Sequence, residues 1–130
     1  MLRKNKNVVE PEPSYVICGL CFKIHNQLGR YRSEGQYCDA FEKLLKEGKI
    51  EHEREKPLPP SFEGGQKRRN IPDFVIKEKI IIDLKAKPFV AKEDYYQMRR
   101  YIDSYNKELG IIINFRQKYL YPKRILKKIN

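Results

Sequence analysis

Two aspartates and a lysine stand at the ends of two short apolar runs in the middle of the chain. Asp73 precedes the run at 74–76, and Asp83 and Lys85 close the run that begins at Ile80. The three polar residues between the runs predict a tight hairpin. Because the ends of two antiparallel strands meet, we expect the carboxylates of Asp73 and Asp83 side by side at one edge of a sheet.

Adjacent carboxylates repel each other unless a cation lies between them. Carboxylate oxygens favour a hard divalent ion, here Mg2+ or Mn2+. Lys85 follows Asp83 by two residues, and strand side chains alternate between faces, so both are expected on the same face. The pattern predicts a metal site with an ammonium group beside it. A hairpin with polar ends and no site is the alternative interpretation.

A helix is predicted before the hairpin, with Ser14 as its N-cap and Gly29 at its end. Its apolar residues recur on one face, at Val16, Ile17, Leu20, Cys21, Ile24 and Leu28. Cys18 and Cys21 form a CxxC pair, and Cys38 is the third cysteine of the chain. Because there is no second CxxC, we interpret the thiols as small core residues rather than as a redox pair or a zinc site.

A second helix is predicted from Ser33 to Glu47. Ser33 and Gln36 have the spacing of a capping box, and Gly48 follows as a terminator. Glu34 lies in the first turn, where the helix dipole favours a carboxylate. Capping alone is therefore one explanation of Glu34.

Further strands and one more helix are predicted around the hairpin. In chain order they are an edge strand within 50–60, a helix from Lys92 to Leu109 ended by Gly110, a buried strand at 111–115 and a last edge element within 120–129. The expected fold class is α/β, with a central mixed sheet of four to five strands flanked by helices.

The length of 130 residues predicts one domain over the whole chain, with short basic extensions at both ends. The chain has no run of about 18 apolar residues, the length needed to span a membrane. Residues 1–7 lack the apolar segment of a signal peptide. We therefore expect no membrane association and a cytoplasmic location.

The net charge of +11 is concentrated at the two ends of the sequence. Residues 1–7 contribute +3 and residues 116–130 contribute +6, with no acidic residue in either segment. Lys67, Arg68 and Arg69 add a basic run just before the hairpin. This distribution favours a polyanionic partner, with nucleic acid first, over tails that only improve solubility.

Pro72-Asp73 followed by Asp83-Leu84-Lys85 resembles the PD-(D/E)XK phosphodiesterase superfamily. The resemblance implies a restriction-endonuclease-like core in which Asp73, Asp83 and the Leu84 carbonyl hold Mg2+ or Mn2+. It also implies that Lys85 positions or deprotonates the attacking water.

A second resemblance lies in the two helices predicted before the hairpin. His25-Asn26-Gln27-Leu28-Gly29 and Glu34-Gly35-Gln36-Tyr37 look like the HxxLG and ExxY elements of the GxxExxY branch of that superfamily. The resemblance implies that Glu34 is an additional acidic metal ligand. The chain departs from the motif at Tyr31, where the branch has glycine.

Gln97 and Tyr101 form a third motif, on the helix predicted after the hairpin. Their spacing of four residues places both on one helix face. The pentapeptide resembles the QxxxY motif of RecB-like and lambda-exonuclease-like nucleases, which implies that Gln97 orients the active site or the DNA backbone. We expect Arg100 and Tyr101 to contact nucleic acid, together with the basic run at 67–69.

These resemblances imply a metal-dependent nuclease, with DNA favoured over RNA and a homodimer left open. The expected catalytic residues are Glu34, Asp73, Asp83, Lys85 and Gln97. The alternative is a nucleic-acid-binding module that kept the fold and lost turnover. A protein with a structural metal is disfavoured, because the sequence offers no suitably spaced thiolate or histidine ligands.

Overall fold

The computed structural model describes residues 12–56, 62–64 and 71–128. Its helices and strands, numbered in chain order, are α1 (Pro13–Leu28), α2 (Glu34–Glu47), β1 (His52–Arg54), β2 (Phe74–Ile76), β3 (Ile80–Lys85), α3 (Lys92–Tyr105), β4 (Leu109–Asn114) and β5 (Lys123–Leu126). The predicted basic run at Lys67, Arg68 and Arg69 lies outside the described residues. Within the described ranges, no helix is both long and apolar enough to cross a membrane.

The strands form a mixed sheet in the order β1-β2-β3-β4-β5. Neighbouring strands are antiparallel except β3 and β4, which are parallel and connected through α3. The short strands β1 and β5 lie at the two edges. The predicted mixed sheet of four to five strands flanked by helices is confirmed.

Helices cover both faces of this sheet. α1 and α2 pack on one face, against side chains that include Phe74, Ile82 and Leu84. α3 packs on the other face, with Ile81 of β3 in the same cluster as residues of the helix. Because both faces are buried, β3 is apolar at successive positions. Side-chain alternation then directs Asp83 to the α3 side of the sheet.

Local signals define most ends of α1 and α2. Gly29 ends α1 with a φ of 76°, and the capping box of Ser33 and Gln36 begins α2 through two reciprocal hydrogen bonds. The predicted N-cap Ser14 is instead a buried residue of the first turn. α1 begins two residues earlier than predicted, with Glu12 at the N-cap, because Pro13 has a fixed φ that suits the first helical position.

The predicted end of the third helix is wrong. α3 stops at Tyr105, and Asn106 follows in the left-handed conformation with a φ of 54°. Leu109 and Gly110 belong to β4. Gly110 is needed for packing rather than for helix termination, because a Cβ atom there would lie 2.3 Å from Sδ of Met98 on α3. The absence of a side chain lets α3 lie close against β4.

Candidate active site

Asp73 and Asp83 lie opposite each other where β2 begins and β3 ends. The register pairs Phe74 with Ile82, so the next pair outward is formed by the two aspartates. The Asp73 N–H donates to Oδ1 of Asp83 at 3.1 Å, and the Leu84 N–H donates to Oδ2 of Asp73 at 2.7 Å. Asp83 is only 4% exposed. The hairpin therefore brings two carboxylates together in a buried position, as the sequence predicted.

Burial raises the pKa of both carboxyl groups. For Asp73, burial and then the charge of Asp83 raise the pKa to about 7, against the opposing hydrogen bond from Leu84. Burial also raises the pKa of Asp83, although the ammonium group of Lys85 acts in the opposite direction. Two such groups are stabilised either by a proton or by a cation.

Lys85 extends toward α3 from the same face of β3 as Asp83. Its Nζ lies 3.2 Å from Oδ2 of Asp83 and donates to Oε1 of Gln97 at 3.4 Å. A longer contact of 3.9 Å joins Nζ to Oδ1 of Asp94. Burial alone would lower the pKa of Lys85, but the carboxylates of Asp83, Glu34 and Asp94 raise it. Lys85 is therefore a charged hydrogen-bond donor beside the aspartate pair.

Asp94 belongs to the site and was missed by the sequence analysis. Oδ2 of this buried residue accepts from the Ala91 N–H at 2.8 Å and lies 2.6 Å from Nζ of Lys87. Burial alone would raise the pKa of Asp94, but the bonds from Lys87 and Ala91 and the charge of Lys85 lower it. The sequence did contain a signal for Asp94. It is an acidic residue in the first turn of a helix, and the helix follows two lysines, Lys85 and Lys87, that are two positions apart.

Asn114 is a second residue that the sequence analysis missed. Its Oδ1 accepts from the Lys87 N–H at 3.1 Å, and its Nδ2 donates to the Lys87 carbonyl at 2.8 Å. These two bonds attach the segment after β3 to the end of β4, so the backbone of Lys87 is fixed beside the site. A polar residue at the end of the buried run at 111–113 was the signal.

Glu34 is the first residue of α2 and lies near the end of the sheet where β2 begins and β3 ends. Although the residue as a whole is exposed, partial burial of its carboxyl group raises its pKa, and the charges of Lys85, Asp83, Lys87 and Asp94 act on it. The structure thus places Glu34 within electrostatic range of the aspartate pair.

The donor set fits a heavily hydrated divalent ion. In the described part of the chain, no three histidine, cysteine or acidic side chains converge as a ready metal cage. Mg2+ does not require one, because it keeps several water ligands and is usually held by one or two carboxylates. Asp73 and Asp83 would supply those carboxylates, and the roles of all four predicted ligands, Asp73, Asp83, Glu34 and the Leu84 carbonyl, stay predictions.

Gln97 and Tyr101 share the face of α3 that points to the site. Tyr101 is 4% exposed, and its hydroxyl donates to the Ile71 carbonyl at 3.2 Å. The prediction that Tyr101 contacts nucleic acid does not fit this burial. The ring packs in the core, and its hydroxyl instead holds the chain that leads into Asp73. Arg100 is exposed, and its contact with nucleic acid stays a prediction.

A cleft at the opposite end of the sheet is unrelated to this cluster. Its volume is about 460 Å³, and its walls include Glu78 in the hairpin turn and Asn106 after α3. None of the predicted site residues lines it. The converging charged groups, rather than this cleft, therefore define the candidate site.

Comparison with known proteins agrees with this geometry. A search of curated proteins found no significant match. The fold is similar to that of the solved protein SSO0001, with 16% identity, a TM-score of 0.50 and coverage of 95% of this chain and 72% of that chain. It is also similar to an alkaline exonuclease (LHK-Exo) from Laribacter hongkongensis, with 12% identity, a TM-score of 0.50 and coverage of 92% and 73%.

These likenesses support a restriction-endonuclease-like α/β fold. The sequence model of the PD-(D/E)XK nuclease superfamily matches residues 11–128, which is nearly the whole chain. The protein is therefore a member of the PD-(D/E)XK nuclease superfamily.

Proposed function

We propose that this protein is a metal-dependent phosphodiesterase that hydrolyses DNA. Membership of a nuclease superfamily whose members generally use divalent metal ions supports a nucleic-acid substrate. The observation that carries the proposal is the buried pair Asp73 and Asp83 with Nζ of Lys85 3.2 Å from Asp83. The similarity in fold to an alkaline exonuclease also favours cleavage of nucleic acid.

The site has the groups that phosphodiester hydrolysis needs. A phosphodiester is anionic and repels hydroxide, so the enzyme must neutralise charge and stabilise the departing oxygen. Asp73 and Asp83 would hold a divalent ion, which would supply Lewis acidity and make a coordinated water more acidic. Lys85 places positive charge beside the position where negative charge develops.

Both predicted roles of Lys85 fit its position. As an ammonium group it orients the attacking water or donates to a phosphate oxygen, and as a neutral amine it acts as the general base. In the metal-free protein, the neighbouring carboxylates raise the pKa of Lys85 and favour the ammonium form. Gln97 accepts from Nζ and restricts its direction, and Asp94 holds the ammonium from the side of α3.

The contacts of Tyr37 support membership of the GxxExxY branch. The Tyr37 hydroxyl donates to the Gly29 carbonyl at 2.6 Å and accepts from the Arg32 N–H at 3.1 Å. Its ring stacks on Phe115 with a centroid distance of 4.2 Å. Tyr37 thus fixes the loop that leads into Glu34. The tyrosine of the ExxY spacing would in this way position the additional carboxylate.

The proposal is tested by comparing Asp83→Ala with Lys85→Ala. We expect Asp83→Ala to lose Mn2+ binding and cleavage together, because one of two carboxylate ligands is removed. Lys85→Ala should retain Mn2+ binding while single-turnover cleavage falls on the order of 100-fold or more. The measurements are calorimetric Mn2+ titration and cleavage of a panel of DNA and RNA strands.

Lys79→Ala is the matched control, because Lys79 is an exposed lysine at the opposite end of the same hairpin. It should cleave like the parent. If the parent binds DNA but cleaves no strand with either metal, the binding-module alternative is correct. If Lys85→Ala cleaves as fast as Lys79→Ala, Lys85 has no role in catalysis.

A further inference from the structure

Two exposed aromatic rings lie on the loops that surround the aspartate pair. Tyr31 is 75% exposed and precedes Glu34 by three residues in the loop between α1 and α2. Phe89 is 69% exposed and follows Lys85 by four residues in the segment between β3 and α3. Rings of this size are usually buried, so their exposure beside an active site needs an explanation.

The loop that carries Tyr31 is firmly built. Nε of Arg30 donates to the Arg116 carbonyl at 2.8 Å, and Nε of Arg116 donates to the Arg30 carbonyl at 3.2 Å. The carbons of the same two guanidinium groups lie 5.2 Å and 5.8 Å from the centroid of the Tyr31 ring. Tyr31 is thus a largely exposed ring with two cations close to it.

Both loops are attached to the strand ends that form the site. Nη2 of Arg116 donates to the Ala86 carbonyl at 3.3 Å, and the Phe115 N–H donates to the Lys85 carbonyl at 2.9 Å. Asn114 bonds both backbone groups of Lys87. These bonds therefore hold the backbone that leads to each ring beside Lys85.

The charge around Tyr31 has one sign. The loop at 29–33 contains Arg30 and Arg32, and the segment at 115–121 contains Arg116 and Lys118, with no acidic residue in either. An exposed ring among cations is complementary to a planar base attached to a phosphate, because the ring stacks on the base and the cations bind the backbone. An apolar protein surface would not neutralise the charge of these cations.

We propose that Tyr31 and Phe89 stack on unpaired bases, so that the substrate is a single-stranded segment of DNA. This inference rests on the proposed function and names its substrate class. Bases in a duplex already stack on each other and do not offer free faces. A strand whose bases lie on the two rings has its phosphates next to Glu34, Asp83 and Lys85. Tyr31, which stands where the GxxExxY branch has glycine, then provides a contact with the substrate.

The test measures binding without turnover. Fluorescence anisotropy in EDTA compares a labelled 20-nucleotide strand of thymidines with a blunt duplex of the same length, at one salt concentration. We expect the parent to prefer the single strand. Tyr31→Ala and Phe89→Ala should each weaken single-strand binding by about fivefold or more, the usual effect of losing one stacked base, and should change duplex binding much less.

Tyr15→Ala is the matched control. Tyr15 is also 75% exposed, but it lies at the first turn of α1, about 20 Å along the helix from its end beside Tyr31. It should bind like the parent. Tyr31→Phe keeps the ring and should also bind like the parent, which separates stacking from loss of the hydroxyl. A circular dichroism spectrum confirms that each variant is folded.

The inference is overturned by equal affinity of the parent for the strand and the duplex, by equal effects of Tyr31→Ala and Tyr15→Ala, or by no DNA binding. Tighter binding of an RNA strand of the same length, measured in the same way, also overturns it. Failure of the proposed function can be distinguished from failure of this inference. A protein that prefers single strands in EDTA but does not cleave them with Mg2+ or Mn2+ would support the stacking inference and contradict the nuclease proposal.

Discussion

The backbone holds the two aspartates in place before any ligand arrives. The Asp73 N–H and the Leu84 N–H each bond one carboxylate, so the pair does not have to be assembled when a cation binds. Such preorganisation has a cost, because two like charges are confined in a buried position. Part of the folding free energy is therefore given up at this site.

The cost predicts a pH-dependent stability of the metal-free protein. Folding raises the pKa of Asp73 from 3.8 to about 7, so the folded state binds this proton more tightly than the unfolded state. The resulting stabilisation is complete below about pH 4 and is lost as the pH rises through about 7. In EDTA, Asp73→Asn should therefore exceed the parent in free energy of unfolding at pH 8, by roughly 1–3 kcal/mol, and much less at pH 4.

The measurement is urea denaturation at both pH values, and Asp103→Asn is the control. Asp103 is an exposed aspartate of α3, so its substitution changes the net charge equally without touching the pair. Equal effects of the two substitutions at pH 8 would show that total charge, rather than the buried pair, sets the dependence. Added Mn2+ should stabilise the parent more than Asp73→Asn.

At the scale of elements, the approach of α3 to β4 positions Gln97 and Tyr101. Gly110 makes this approach possible, because a Cβ atom there would meet Sδ and Cγ of Met98 at 2.3 Å and 2.8 Å. Met98 is fully buried and lies between the two motif residues on the helix. A change at Gly110 therefore acts on the site through the position of α3.

Gly110→Ala should destabilise the protein by about 1–3 kcal/mol, because it overpacks the contact with Met98. Gly19→Ala is the control: Gly19 lies in α1 with no atom within 4 Å of its added Cβ, so alanine should be neutral or stabilising by about 0.5–1 kcal/mol. Thermal unfolding of both variants checks this. A stable Gly110→Ala protein would mean that Met98 moves aside without cost.

The features that the sequence predicted correctly are local ones. The capping box of Ser33 and Gln36, the glycine after α1 and the hairpin that joins Asp73 to Asp83 each depend on residues within about one element. Resemblance to motifs then predicted Glu34, Lys85 and Gln97, which the structure places around the pair.

The features that the sequence did not predict depend on contacts between distant elements. Asn106, rather than Gly110, ends α3. Gly110 lies in β4, where the close contact with Met98 leaves no room for a side chain. Tyr101 was predicted to contact nucleic acid, but it is buried and its hydroxyl bonds a carbonyl 30 residues away. The reciprocal bonds of Arg30 and Arg116 join residues 86 positions apart. Periodicity and capping rules carry no information on such pairs.

At the scale of the whole molecule, the charged and polar groups of the candidate site lie at one end of the sheet, outside the apolar interior. The end of β3, the end of β4 and the first turns of α2 and α3 meet there. Arg116, Lys118 and Lys123 lie toward this end of the sheet, whereas Lys127 and Lys128 follow β5 at the opposite end. The proposed binding of a nucleic-acid strand at the site would therefore bring the first three basic residues to its phosphates.

DNA binding should consequently depend strongly on salt. Raising the salt concentration from about 50 to 200 mM should weaken binding about a hundredfold or more if many phosphates are contacted, because each contact releases condensed counterions. Anisotropy titrations in EDTA measure this dependence. A loss of less than roughly threefold would show that the basic segments contribute little to binding.

A pair of double variants separates local charge from total charge. Lys118→Gln with Lys123→Gln neutralises two exposed lysines after β4, whereas Lys43→Gln with Lys46→Gln neutralises two exposed lysines of α2. Both proteins lose the same net charge. Only the first pair should reduce the salt slope, by about one unit for each lost phosphate contact. If both pairs reduce it equally, the DNA responds to the total charge of the protein and not to the segment beside the site.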